Sequence, residues 1–157
     1  MSPFRIRPLI RHDAERMACI HQQCFPKAWP TETFYDYFDK FEWDGVFGFG
    51  IRLGQDADDS PELSGFILGR TLYDLNDILT FAIVPDQHGK GLGRALLAAY
   101  LNETSCDCML EVATGNTAAI HLYTSFGFET IMTRRGYYDD PDPLMRDAYV
   151  MRRKGVL

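Results

Sequence analysis

The chain has 157 residues, a length at which one hydrophobic core buries most of the surface that the unfolded chain exposes. Apolar residues make up 46% and charged residues 24%, which excludes a disordered polymer. The formal net charge of −6 is opposite in sign to the footprint that phosphate-backbone binding needs, and argues against free nucleic acid as a partner.

Taken in chain order, Phe4, Ile6 and Pro8 alternate with Arg5 and Arg7 and predict a first strand. Asp13 is placed to cap a helix carrying Ala14, Met17, Ala18, His21 and Cys24 at helical spacing, and an aromatic-rich helix follows over Thr31 to Phe41. Asp44 and Gly45 lead into the first of three strands, Val46 to Leu53, Leu63 to Thr71 and Ile78 to Val84. The segment Gly54 to Pro61, with Asp56, Asp58 and Asp59, reads as a surface loop and not a domain linker. One domain over 1–157 is expected.

After Pro85 a glycine cluster opens a helix over Leu92 to Leu101, whose stripe of Leu92, Leu96 and Ala99 faces a core. Met109 to Ala113 is a short strand. Asn116 caps the next helix, Ile120, Tyr123 and Phe126 form its apolar side, and Gly127 takes a left-handed C-cap. Phe128 to Thr133 and Tyr149 to Arg152 close a mixed sheet, so the class is α+β with helices on both faces.

Cys19, Cys24, Cys106 and Cys108 match no zinc spacing and are expected as reduced, buried thiols. His12, His21 and His121 share no ligand spacing with one another or with the cysteines, so no metal is expected. Met1 to Ile10 has no signal-peptide core, and no stretch approaches the roughly 20 apolar residues of a membrane span. A cytoplasmic protein with no membrane contact is expected.

The segment His88-Gly89-Lys90-Gly91-Leu92-Gly93-Arg94 follows a strand and opens a helix. Glycines there let a ligand approach the backbone, and the helix start carries partial positive charge, so the segment is either a plain turn or a phosphate site. Two phosphate motifs are excluded by spacing. A P-loop needs Ser or Thr after its lysine, where Gly91 follows Lys90, and a dinucleotide fingerprint needs a third glycine that Arg94-Ala95-Leu96 does not supply.

The run from Val84 to Leu97 resembles the acetyl-CoA loop of the GNAT acetyltransferases, [QR]-x-x-G-x-[GA]. Gly91 and Gly93 match it, and His88 stands where Gln or Arg is usual. A second set, Leu110-Glu111-Val112, Asn116, Ala118-Ala119-Ile120, Leu122-Tyr123 and Phe126-Gly127-Phe128, resembles the RimI-like subfamily of ribosomal-protein alanine N-acetyltransferases. So do Arg134-Arg135-Gly136-Tyr137-Tyr138, Asp147-Ala148 with Met151, and the early Trp29 and Phe34.

The resemblance implies a three-layer GNAT fold with a central mixed, mostly antiparallel sheet. It implies acetyl-CoA as co-substrate, held by Ile83, Val84, the loop from His88 to Arg94, Asn116 and Tyr123. An oxyanion donor is implied among the backbone N–H groups of Leu79 to Val84. Trp29, Phe34, Asp77, Tyr137 and Tyr138 would face the acceptor, a protein or peptide N-terminus such as that of a ribosomal protein. A lysine, a small-molecule amine or an antibiotic is the alternative acceptor, and a non-catalytic acyl-CoA-binding module is the alternative outside catalysis.

Acetylating an amine needs a base for the ammonium, a donor for the carbonyl oxygen and an acid for the departing thiolate. Glu111 interrupts the apolar strand Met109-Leu110-Glu111-Val112-Ala113, where a carboxylate is penalised unless it faces a cleft or a partner. The resemblance makes it the base. A phenol of pKa about 10 suits proton donation to a thiolate, and the resemblance gives that part to Tyr123. Without the resemblance, Glu111 reads as a solvated strand residue and Tyr123 as core.

Overall fold

The computed structural model describes residues 3–39, 45–54 and 62–156. They group into two compact units, one built from Met1–Leu72 and Leu79–Glu103, the other from Tyr73–Ile78 and Thr104–Leu157.

In the first unit, strand β1 (Phe4–Pro8) pairs antiparallel with β2 (Val46–Leu53), and β2 pairs antiparallel with β3 (Gly65–Leu72). Strand β4 (Leu75–Ile83) enters this unit with its second half, giving the order β1-β2-β3-β4. Helices α1 (Ala14–Cys24) and α2 (Thr31–Asp39) bury Met17, Ile20 and Phe34 against Phe66 and Leu68 of β3. Side chains alternate across a strand, so Phe47, paired with Gly69, points the other way. There its ring stacks on Tyr100 of helix α3 (Leu92–Asn102), with centroids 4.7 Å apart. Helices therefore cover both faces of this unit's sheet, as expected. On the α1–α2 face Gly50 is required for space, because a Cβ there would stand 2.7 Å from the Leu63 side chain.

In the second unit, the first half of β4 runs parallel to β5 (Asp107–Ala113) over Leu75–Asp77. Strand β7 (Ala148–Arg153) lies antiparallel between β5 and the edge strand β6 (Glu129–Arg134). The pairing of β6 with β7 breaks register between Thr130 and Met132, where one extra residue, Ile131, is accommodated. Helix α4 (Thr117–Ser125) and the single turn α5 (Pro143–Arg146) complete the unit. The class is α+β, with a mixed, mostly antiparallel set of strands.

Most predicted elements form within three residues of the expected bounds. The Asn116 cap is present, its side chain accepting the Ala119 N–H at 3.3 Å. Asp13 does not cap α1: it ends a 3-10 turn in helical backbone, and its carboxylate turns back to the Ile10 N–H at 2.8 Å and to Arg7 at 2.8 Å. Helix α5 and the 3-10 turns at Arg11–Asp13 and Pro85–Gln87 were not anticipated, being too short to leave a periodic pattern. Phe41, Asp44 and the loop residues from position 55 to Pro61 lie outside the described residues. The cysteines are free but not uniformly buried: Cys108 is buried, Cys24 and Cys106 are half-buried, and Cys19 sits on the exposed side of α1.

Candidate active site

Two groups of predicted site residues lie in the first unit. At the end of β4 a 3-10 turn leads into the glycine loop, where Gly89 and Gly91 have φ of +76° and +83°. These left-handed conformations explain both glycines, since a Cβ at either would meet nothing within 4 Å. Gly91 occupies the N-cap of α3, which receives no side-chain cap, while buried Leu92 and Leu96 anchor the helix start. Open space, left-handed glycines and an uncapped helix start are the features a diphosphate requires.

His88 has a structural part here. Its Nε2 lies 2.7 Å from the Ile83 carbonyl oxygen, which also accepts the Cys24 thiol at 3.2 Å. The ring thereby straps the loop to the end of β4. The Val84 N–H donates to the Ser64 carbonyl at 2.8 Å, so that amide is committed to the residue just before β3. Lys90 folds onto Gln87, Nζ to Oε1 at 3.0 Å.

The second group is aromatic. The His21 Nδ1 accepts the Trp29 N–H at 3.0 Å, and the His21 ring lies against those of Phe25, Trp29 and Phe34. Burial pushes the His21 pKa down to about 4, so the ring is neutral. Phe34 has no exposed surface and packs edge-on against Phe66. It therefore supports Trp29, 5.6 Å away between centroids, and presents no surface of its own.

The second unit holds Asp77, Glu111, Tyr123, Tyr137 and Tyr138, with Asn116 at the start of α4. Glu111 is half-buried on β5, and burial raises its pKa; Arg134 opposes that rise and Asp77 adds to it. The Arg134 Nη1 is 4.0 Å from the Glu111 Oε1. Tyr123 is buried, and burial above all, with Tyr138 and Cys108 contributing, raises its phenol pKa strongly. Tyr138 is pushed up to about 12, chiefly by burial, and Tyr137 packs on it edge-on at 4.8 Å. Cys108 donates to the Asn76 Oδ1 at 3.2 Å, and burial raises its pKa to about 12, which keeps it a thiol.

Arg134 is the residue whose part the sequence did not disclose. Its signal is the register of β6, and a single-residue irregularity in an edge strand leaves no periodic trace. Among the described residues, no group of three or more His, Cys, Asp and Glu side chains is placed to hold a metal ion, and no helix is long and apolar enough to cross a membrane.

Residues 14–128 match the acetyltransferase (GNAT) family. The chain is 34% identical over 154 residues to the N-alpha-acetyltransferase RimI of Mycobacterium tuberculosis, covering 96% of this chain and 92% of that one. It is 35% identical over 94 residues to the [ribosomal protein bS18]-alanine N-acetyltransferase of Escherichia coli K12, covering 57% of this chain and 63% of that enzyme. The crystal structure of the Escherichia coli ribosomal-protein-S18-alanine N-acetyltransferase superposes with a TM-score of 0.83 at 27% identity, covering 98% of this chain and 95% of that one. An open glycine loop at a helix start thus coincides with a family match over most of the sequence, and the chain belongs to the GNAT family as an N-acetyltransferase that uses acetyl-CoA.

Proposed function

We propose that the chain acetylates the α-amino group of a protein or peptide N-terminus, by direct attack and without an acyl-enzyme. The observation that carries this reading is Glu111, a half-buried carboxylate whose affinity for a proton is raised in mid-strand. The relatives named for N-alpha and ribosomal-protein alanine acetylation support it, and a ribosomal protein in the cytoplasm is the acceptor they suggest. Both units, through which β4 runs, are read as one acetyltransferase domain.

Acetyl-CoA supplies the thioester whose acyl group is transferred. The amides from His88 to Arg94 hold its diphosphate, with Ile83 and the Val84 side chain along the arm and Asn116 beside it. Glu111 takes the ammonium proton through a water. An α-amino group has a pKa of only about 8, against about 10.4 for lysine, so a carboxylate deprotonates it at smaller cost. Asp77 attracts the ammonium before that step, and the candidate acceptor-binding aromatics are Trp29, backed by Phe34, in the first unit and Tyr137 and Tyr138 in the second. Backbone N–H groups between Leu79 and Ile83 are the candidates for polarising the carbonyl.

Tyr123 protonates the thiolate. Burial raises the phenol pKa, but the same burial raises that of a thiolate leaving beside it, so the proton transfer stays near balance. A route through cysteine is disfavoured by Cys108, which keeps its proton and faces Asn76.

The test is a peptide that begins with alanine and carries an internal lysine, incubated with acetyl-CoA and mapped by mass spectrometry. Acetyl on the α-nitrogen is expected, and acetyl on the lysine Nζ alone overturns the reading.

A further inference from the structure

We propose that Asp77 and Arg134 are a pair of positioning residues for the transfer reaction, holding the Glu111 carboxylate between an acid and a base along one diagonal of the sheet. The inference rests on Glu111 as the base, and adds what governs its charge.

The argument is one of register. Residues paired across neighbouring strands share a face, as do alternate residues along one strand. Asp77 of β4 pairs with Met109 of β5, which is two residues from Glu111 and on its face. Glu111 pairs with Val150 of β7, and Arg134 of β6 pairs with Ala148, two residues from Val150. Asp77, Glu111 and Arg134 therefore lie on one face, each stepped by two residues from the last. Between the arginine and the carboxylate the sheet presents the small Ala148, and the guanidinium reaches to within 4.0 Å.

The placement of Arg134 depends on the irregularity in β6. Before it, Glu129 pairs with Arg152 and Thr130 with Met151; after it, Met132 pairs with Val150 and Arg134 with Ala148. Were the first register continued, Arg134 would oppose Asp147 and its side chain would leave by the other face. With Ile131 present in the strand, the bulge is what keeps Arg134 on the face of Glu111.

The groups around Glu111 are few. Strand β4 contributes Asp77, β6 contributes Arg134, and the segment after β6 contributes Tyr137 and Tyr138. From β7 the neighbours are Ala148 and Val150, and Arg146 of α5 is turned to the carbonyls of Asp140 and Pro141. Among the described residues, Asp77 and Arg134 are the charged groups that act on Glu111 from its two sides, and their effects on its proton oppose each other. Both Glu111 and Arg134 are partly exposed, so the pair acts on the proton far more than on the stability of the fold.

The experiment is a carbon-13 NMR titration of the full chain labelled at its glutamate carboxyls, with the Glu111 signal assigned by its loss in Glu111→Gln. Arg134→Gln moves the Glu111 midpoint to higher pH, Asp77→Asn moves it to lower pH, and Arg134→Lys restores it toward the parent value. Arg135→Gln, which removes the same charge one residue along, leaves it nearly in place. An unmoved midpoint in Arg134→Gln and Asp77→Asn, shifts of the same sign, or an equal shift in Arg135→Gln overturns the proposal. The pH profile of turnover is read in parallel. Midpoints that move in the titration while the acid limb of activity survives Glu111→Gln would sink the assignment of the base and leave the electrostatic pair standing.

Discussion

The Tyr123 backbone carbonyl accepts the Phe128 N–H at 3.1 Å, and the rings of the same two residues lie 5.8 Å apart. Between them Gly127 has φ of +89° and donates to the Thr124 carbonyl at 3.0 Å, so α4 closes in a Schellman motif with its apolar contact in place. The proposed acid is thus held at both its backbone and its ring by the residue just before β6.

That closure predicts a divided response. Gly127→Ala, forced into left-handed backbone, destabilises the fold by about 1 kcal/mol, and Phe128→Ala, emptying a buried site, by about 3–5 kcal/mol. Urea midpoints measure both, and a Phe128→Ala loss below that of Gly127→Ala would show that the ring contact holds nothing.

Glu111→Gln and Tyr123→Phe test the two proton transfers. Each is expected to lower turnover about 100-fold or more at neutral pH, with acetyl-CoA binding retained by calorimetry. Glu111→Gln also removes the acid limb of the rate profile, because a base that binds its proton more tightly than usual in the folded chain is protonated, and idle, on the acid side. Full turnover in both variants would remove the assigned roles.

His21 makes stability fall with acid. Its pKa is lowered from 6.5 to about 4 by burial, so above 6.5 the ring is neutral in both folded and unfolded chains and adds no slope. Between 6.5 and about 4 only the unfolded chain takes the proton, and stability drops through that window by a total on the order of 3 kcal/mol. His21→Gln, which can still accept the Trp29 N–H, is expected to flatten the slope of denaturation midpoint against pH, and an unchanged slope would assign the acid loss elsewhere.

Gly91→Ala tests the loop. Its added Cβ meets open space in the protein, so the strain is in the backbone alone. Strain of about 1–2 kcal/mol predicts roughly 5- to 30-fold weaker acetyl-CoA binding, with a smaller effect on the acceptor KM. Unaltered affinity for acetyl-CoA would detach the loop from the co-substrate.

What could be read beforehand followed from local rules. The Asn116 cap, the Gly127 turn and the glycine loop are each written in consecutive residues, and each is found where expected. Asp13 failed as a cap because capping depends on backbone angles that an unannounced 3-10 turn had already set. Trp29 and Phe34 look alike in the sequence, yet one is half-buried and the other wholly enclosed, since burial is decided by distant strands such as β3. The neighbours of Glu111 were hidden for the same reason: Asp77 and Arg134 meet it only through pairings of strands far apart in the chain.

The unmatched Ile131 makes the length of an outer strand a coded quantity in its own right. Inserting one codon between Met132 and Thr133, with Met132 still paired to Val150, would preserve every side chain yet invert which of those beyond it look inward, exchanging arginine for threonine opposite Ala148. In such a chain the arginine would survive in any alignment while its contribution to the carboxylate had been erased.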